Sequence, residues 1–517
     1  MLDINEIDGT RIGKFELSGK TFDIPALLRI EKDIMMIGDL QIPRPLSYPF
    51  RSVPTEGTIK VNSYLRINRA VTSRIADKIQ GKNIELQLDG DITPVFLSGD
   101  ADLNKEFIES LNEASIFLFD SSDERELLKS FFSIRKKYPN SLCFCNCGPD
   151  LIPVLAYAGF DLFPDTAENR DALTSYLENR TPHYVEMSSC ATLRAKTILN
   201  LLYLDHWMEL EGYLKISKEK ELFISRDAFW RPCAQMWEKM IKSNYVPQSN
   251  VFLLLPCSAK KPYSSSKSHR RFINIIKSKL GNNYSSLCQL IVTSPYGVVP
   301  RELEGLIDYD IVVTGRWMGE EIDRSREMLK SIISKSKDPI VLAHLPENEL
   351  ESIEGIGVEA RVTSVGHPLS DESIDKLKSE LQTINGLFTH KVDKYHDLRT
   401  QSKFIFGNDI LPEKIGIRGR GVKQVFSNGN IIASLGKRIR PMYKDVKVQK
   451  KWVNIDFDIK GDLFCVGVRD ADNGIRAGDD VIIRKDKETT AIGTAILPGK
   501  MMKKMRKGKA VKVRKRL

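Results

Sequence analysis

The chain has 517 residues, a formal net charge of +10 and 41% hydrophobic residues. At roughly 100–200 residues per domain this length predicts three to four domains, each able to bury its own core. No stretch approaches the roughly 18–20 uninterrupted apolar residues of a membrane span, which excludes an α-helical membrane protein.

The start, Met1-Leu-Asp-Ile-Asn-Glu, lacks a basic segment followed by an apolar core, so the cytoplasm is the expected location. In that compartment the eight cysteines, at 143, 145, 147, 190, 233, 257, 288 and 465, are expected as thiols, metal ligands or nucleophiles, not disulfides. The charge is concentrated at one end. Residues 500–517 hold ten Lys or Arg and no acid, and the other 499 residues carry no net charge. A basic terminus on a neutral protein suggests a polyanion contact there; a solubilising tail has the same composition.

Residues 1–225 alternate strand-like runs (Thr93-Pro-Val-Phe-Leu-Ser, Ala114-Ser-Ile-Phe-Leu-Phe, Ser141-Leu-Cys-Phe-Cys) with helix-like segments such as 122–136. This reads as parallel α/β. Cys143, Cys145 and Cys147 alternate and are expected on one strand face. Their spacing does not fit C-x₂₋₄-C zinc knuckles, so packing is the expected role and no metal is expected. Residues 190–215 read as one long amphipathic helix, with His206 structural.

Residues 226–385 read as a second α/β unit, an open, mostly parallel sheet with helices on both faces. Its apolar runs are 251–255, 287–292, 309–313 and 339–343, and helices are expected at 322–335 and 371–383. Residues 386–446, with Ile417-Arg-Gly-Arg-Gly-Val, read as a small α+β module. Residues 447–517 hold short strands separated by Gly turns and read as a small barrel.

The densest chemistry lies in Pro256-Cys257-Ser-Ala-Lys260-Lys261-Pro262-Tyr263-Ser-Ser-Ser266-Lys-Ser-His269. It follows a buried strand and precedes a helix, where ligands of open α/β sheets gather. Free backbone N–H groups, two lysines and a histidine favour a thiolate at Cys257, and a thiolate is the reactive nucleophile. A buried cysteine followed by a Ser-rich loop is the structural alternative. By the same topology Tyr296, Arg301 and Glu302 after the next strand, and Asp310 and Trp317 after the one beyond, are expected to line the same crevice with Pro256 and Pro262. Arg301 and Glu302 would hold a polar ligand and Trp317 would stack on a base.

The loop resembles the archaeosine synthases, paralogues of archaeal tRNA-guanine transglycosylase. Their pattern of Pro-Cys, three residues, Lys-Pro-Tyr, two residues, Ser, two residues, His is met by Pro256, Cys257, Lys261, Pro262, Tyr263, Ser266 and His269. The resemblance implies that residues 1–225 form a degenerate transglycosylase-like (β/α) barrel. The segment from Leu151 through Phe160, Asp161 and Phe163 is similar to the one leading into the transglycosylase nucleophile. Pro164 stands where that family has its aspartate, with Asp165 one place later. The zinc cluster is also depleted, to Cys190 alone nearby.

The stretch 447–517 resembles a PUA RNA-binding pseudo-barrel, on Val466-Gly-Val, Gly474-Ile-Arg-Ala-Gly-Asp479, Ala491-Ile-Gly493 and Lys507-Gly508-Lys-Ala-Val511. Residues 386–446 are similar to the linker domain before it. Lys500, Lys503, Lys504, Arg506, Lys507 and Lys509 would then meet phosphates.

The resemblance implies action on tRNA carrying 7-cyano-7-deazaguanine (preQ0) at position fifteen. The nitrile becomes an amidine through a Cys257 thioimidate, with lysine or glutamine as amine donor and no cofactor. His269 would move protons, and Lys261, Tyr263 and Ser266 would assist. In the lysine route a separate radical S-adenosylmethionine enzyme follows; a homo-oligomer is compatible with the sequence. Two other readings are a transglycosylase exchanging guanine for preQ0 and a non-catalytic PUA tRNA-binding protein.

Overall fold

The computed structural model describes residues 2–17, 19–30, 34–38, 40–43, 57–62, 84–89, 94–97, 116–119, 123–216, 220–313, 315–388, 392–419 and 423–517. Met1, Thr93, Ser98, Ala114, Ser115, Ser122 and residues 420–422 of the Gly/Arg run lie outside them. The chain divides into two compact units. One comprises residues 1–216, 453–487 and 493–516, and the other is essentially residues 217–452.

In the first unit, a seven-stranded sheet runs in the order Leu40–Pro43, Ile34–Ile37, Ala26–Ile30, Leu162–Pro164, Leu142–Cys145, Ile116–Phe119 and Pro94–Leu97. The last five are parallel neighbours and the first three antiparallel. Among the described residues the sheet does not close into a ring. A separate antiparallel sheet joins Leu2–Asp8, Thr10–Leu17 and Lys20–Ile24.

Burial of Arg11 and Arg135 is made tolerable by Asp161, which takes Arg11 Nε at 2.8 Å and Arg135 Nη2 at 2.9 Å. The two arginines hold the Asp161 carboxyl below its usual range against the opposing effect of burial. Cys143 and Cys145 pack inside the sheet, and burial pushes the Cys143 thiol up to about 11. Cys147 lies past the strand end, so the three do not share one strand face. The helix expected over 190–215 is broken in two, Leu193–Leu204 and Trp207–Glu211. Thr192 caps the former by accepting from Ala195 N at 3.2 Å, a start signal inside the apolar periodicity.

The C-terminal strands form a six-stranded sheet in the order Leu463–Phe464, Lys509–Arg516, Glu488–Ala495, Asp480–Lys485, Trp452–Ile455 and Asp470–Ala471. At Gly493 an added Cβ would sit 2.6 Å from the Lys512 carbonyl oxygen, so only glycine lets the two strands cross so closely.

The second unit is built on a five-stranded sheet ordered Gly297–Pro300, Cys288–Thr293, Val251–Pro256, Ile340–Ala343 and Ala360–Val362. All neighbours are parallel except the hairpin Cys288–Thr293/Gly297–Pro300. Along the central strand Phe252 and Leu254 face a core shared with helices Pro232–Asn244 and Gly319–Ile333. Val251, Leu253 and Leu255 face the other, shared with Lys267–Leu280 and Asp371–Ile384. Burial on both faces explains the unbroken apolar run.

One expected strand is elsewhere. Tyr309–Ile311 leaves this sheet and pairs in parallel with Glu221–Phe223. Beyond it, helix His396–Phe406 and a four-stranded antiparallel sheet (Gly416–Arg418, Lys423–Ser427, Asn430–Leu435, Ile439–Pro441) complete the unit. Among the described residues no helix is long and apolar enough to cross a membrane.

Candidate active site

Three parallel strands end on one edge of the central sheet, and each delivers a functional group there. Val251–Pro256 ends on Cys257, Cys288–Thr293 ends on Thr293, and Ile340–Ala343 leads into the turn of helix Glu347–Ile353 that carries Glu349. This is the crevice an open parallel sheet offers to ligands. Gly297 shapes its edge. It sits at φ +69° in the hairpin turn, where a Cβ would lie 2.6 Å from Met328 Sδ.

The cysteine loop is anchored at several points. Ser266 is the N-cap of Lys267–Leu280 and accepts from His269 N at 3.2 Å. The His269 ring is fully buried. Its Nε2 lies 2.9 Å from the Pro256 carbonyl oxygen and its Nδ1 2.8 Å from Arg301 Nη2. A guanidinium only donates, so Nδ1 accepts and the ring proton sits on Nε2, donated to Pro256.

Burial, then the Arg301 charge, pushes His269 down to about 3. The proton-moving role expected of His269 does not fit this geometry, because both ring nitrogens are taken and the ring stays neutral. Ser266 likewise caps a helix and does not assist at the thiol.

Arg301 is also turned inward. It donates Nη1 to Glu304 Oε2 at 3.0 Å and Nε to Gln289 Oε1 at 3.2 Å. Glu304 accepts the Ser264 amide through the same oxygen, also at 3.0 Å, which ties the loop to this network. Glu302 accepts from Tyr245 Oη at 2.7 Å; burial, then Asp397, raises its carboxyl to about 7. Arg301 and Glu302 therefore support the loop from behind instead of lining the crevice. Tyr296 is buried as well, packed on Phe223, Trp237 and Tyr309. Asp310 is exposed and ion-paired with Lys220 at 2.6 Å. Trp317 is half-buried against the core, Pro256 is half-buried and Pro262 is exposed.

The groups gathered around Cys257 are different ones. Tyr263, Thr293 and Tyr309 form a buried hydroxyl triangle, with Tyr263 Oη 2.8 Å from Tyr309 Oη and 3.3 Å from Thr293 Oγ1. Thr293 and Tyr309 are 2.5 Å apart. Lys261 Nζ lies 3.9 Å from the centre of the Tyr309 ring, a cation–π contact. Burial lowers the Lys261 ammonium, while the Cys257 thiolate favours it.

Cys257 is exposed as a residue, yet dense surroundings at its sulfur push the thiol up. Glu349 adds to that rise, while the Thr293 hydroxyl and the Lys261 charge oppose it. The expected bias toward thiolate is thus present but outweighed by burial. Thr293, Tyr309 and Glu349 were given no role from sequence. Tyr309 had a readable signal in its strand alternation with Asp310; Glu349 had none among its acidic neighbours Glu347 and Glu351.

Residues 234–381 match the family described as a domain of unknown function (DUF5591), and residues 445–517 match the PUA domain. Relatives named archaeosine synthase place the chain among tRNA-modifying enzymes.

The chain is 30% identical to archaeosine synthase subunit alpha of Thermococcus kodakarensis, over 98% of both chains. It is 31% identical to archaeosine synthase of Methanocaldococcus jannaschii, over 76% of this chain and 77% of that one. It is 28% identical to archaeosine synthase subunit alpha of Thermoplasma acidophilum, over 75% and 85%. The chain belongs to the archaeosine synthase family.

The basic C-terminal residues are largely compensated locally. Lys503 pairs with Asp470 at 3.3 Å, Lys507 with Glu16 at 3.0 Å and Lys509 with Asp462 at 2.7 Å. Lys504 Nζ donates to the Lys136 carbonyl oxygen at 2.7 Å, and the Arg506 amide to Asn140 Oδ1 at 3.1 Å. Among the described residues Lys500 and Lys512 are exposed and hold no ion pair, although the Lys512 charge is felt at Asp462.

Proposed function

We propose that the chain is an archaeosine synthase that converts the nitrile of preQ0 at position fifteen of tRNA to an amidine, acting in the cytoplasm. The observation that carries this is Cys257 at the carboxyl edge of the sheet, reachable from solvent and flanked by Thr293 and Lys261.

In the first step the Cys257 sulfur bonds to the nitrile carbon and the thiol proton passes to the nitrile nitrogen, giving a thioimidate. In the second an amine attacks the same carbon. The C–N bond forms, the C–S bond breaks, and a proton returns to sulfur. Splitting one slow addition into two easier ones is the advantage of a covalent route. Lys261 and the hydroxyl triangle polarise the nitrogen end, and His269 holds the loop. The donor is lysine or glutamine, and no cofactor takes part. A radical S-adenosylmethionine partner completes the lysine route, in keeping with relatives named as alpha subunits.

The N-terminal unit is read as a degenerate transglycosylase-like barrel that has lost base exchange. Pro164 occupies the nucleophile position, and Asp165 is held by Arg170 at 2.7 Å and Arg29 at 3.4 Å. Incubating the purified protein with preQ0-tRNA and candidate amines, then digesting to nucleosides for mass spectrometry, tests the reading. Amidine formation supports it. Guanine release would make the chain a transglycosylase, and an unchanged nucleoside profile would leave only tRNA binding.

A further inference from the structure

The thioimidate route leaves one requirement unmet. An amine donor arrives as an ammonium, which has no lone pair to attack with. Something in the crevice must attract that cation and remove a proton from it. Lys261 is itself a cation, His269 is committed on both nitrogens, and the buried hydroxyls of the triangle are neutral and too weakly basic to take a proton from an ammonium.

Asp310 and Asp308, the carboxylates near Lys261, are paired with Lys220 and Lys437, which leaves Glu349 as the candidate. It follows the strand Ile340–Ala343, which lies beside the strand ending in Cys257. It is only 6% exposed, and its Oε2 has no hydrogen-bond partner. A buried carboxyl oxygen without a partner costs about 1–3 kcal/mol, more when charged. Such a cost persists where a ligand supplies the missing donor. Its charge is also felt at the Cys257 sulfur, which places it on the reaction's side of the sheet.

We propose that Glu349 marks the amine-donor subsite: its carboxylate pairs with the donor's ammonium beside Cys257 and takes the proton the amine must lose to attack. This rests on the thioimidate reading above. The balance is complete. The ammonium gives one proton to Glu349, and the neutral amine attacks the thioimidate carbon. The C–S bond breaks, and Glu349 returns its proton to the departing sulfur. The positive charge ends on the product amidinium, so no outside acid or oxidant is needed. Burial raises the Glu349 carboxyl to about 8, which makes it a stronger base than an ordinary carboxylate, and pairing with the donor's ammonium favours the ionised form that takes the proton.

The test compares wild type with Glu349→Gln, which keeps the side chain's volume, on preQ0-tRNA with two donors at pH 7. Lysine is protonated at that pH; hydroxylamine is already neutral and needs no base. The tRNA-linked protein adduct formed without donor is measured by intact mass. The expected result is adduct formation no slower than in wild type, transfer from lysine slowed by about 10²–10⁴-fold, and near-normal transfer from hydroxylamine. Equal loss with both donors would mean a structural role, and failure of the variant to form the adduct would move Glu349 to the first step; either overturns the proposal, as does an unchanged rate with lysine. Absence of any adduct in wild type would instead defeat the thioimidate reading, so the two failures are distinguishable.

Discussion

Arg301 Nη2 lies 2.8 Å from His269 Nδ1, and this contact decides what His269 does. Protonating Nδ1 would set two cations face to face in a buried site, so the imidazole stays neutral and serves as a strut between Arg301 and the Pro256 carbonyl. We therefore expect the pH–rate profile of His269→Gln to superimpose on that of wild type near neutrality, with any loss appearing as a uniform factor. The same strut has a stability signature. The folded-state value lies near 3, below the ordinary 6.5, so the unfolded chain binds a proton the folded chain refuses. Its contribution is complete above pH 6.5 and declines as pH falls toward 3, at about 1.4 kcal/mol per pH unit. Denaturant midpoints at pH 4.5, 5.5 and 6.5 should show a shallower acid decline in the variant.

Replacing Cys257 by alanine should abolish amidine formation and leave tRNA affinity within about two-fold, because the thioimidate needs the thiol that Cys257 brings to the crevice edge. Intact mass of protein incubated with preQ0-tRNA should show a covalent species in wild type only. Turnover by the alanine variant at a normal rate would remove the covalent step.

Thr293→Val removes a hydroxyl that favours the Cys257 thiolate but keeps the side-chain volume. Burial and Glu349 already hold the thiol above its usual value, so losing this support should push it further up. Iodoacetamide alkylation of Cys257, followed from pH 7 to 10.5, should shift to higher pH in the variant. Lys261→Met should move the curve the same way, and Lys260→Met, a solvent-facing control, should not.

How much of this was legible beforehand follows from the range of the interactions. The α/β character of 226–385 was readable because strands buried on both faces write continuous apolar runs, as Val251–Pro256 does. The cysteine loop was readable because its residues are consecutive. Their roles were not. His269 meets Arg301 across 32 positions of chain and Glu304 reaches Ser264 across 40, and no local pattern encodes such pairings. The strand at Tyr309 was misplaced because its apolar run does not name its partner, Glu221–Phe223, nearly ninety residues earlier. The charge of the C-terminal end was legible as a sum, but its neutralisation by Asp462, Asp470 and distant Glu16 was not.

That neutralisation shapes the last prediction. Counterion release depends on charges a phosphate can reach without first breaking a protein ion pair. Lys500 and Lys512 meet that condition; Lys503, Lys507 and Lys509 are each held by an acid. Exposed pairs of this kind contribute at most about 1 kcal/mol, so they open when phosphate arrives, but each leaves an acid behind that offsets the gain. Alanine at Lys500 and Lys512 together should therefore lower the slope of log affinity against log salt by about 2, close to one per lysine. Alanine at Lys507 and Lys509 should lower it by less.

Point variants are the right tool here. Deleting residues from 447 onward would also strip the contacts that Asn140 makes with Lys504 and Arg506, and so disturb the N-terminal unit itself. Filter binding of preQ0-tRNA at several salt concentrations reads the slopes directly. An unchanged slope in the Lys500/Lys512 variant would place the phosphate contacts away from the C-terminal strand and return its charges to the role of keeping the protein soluble.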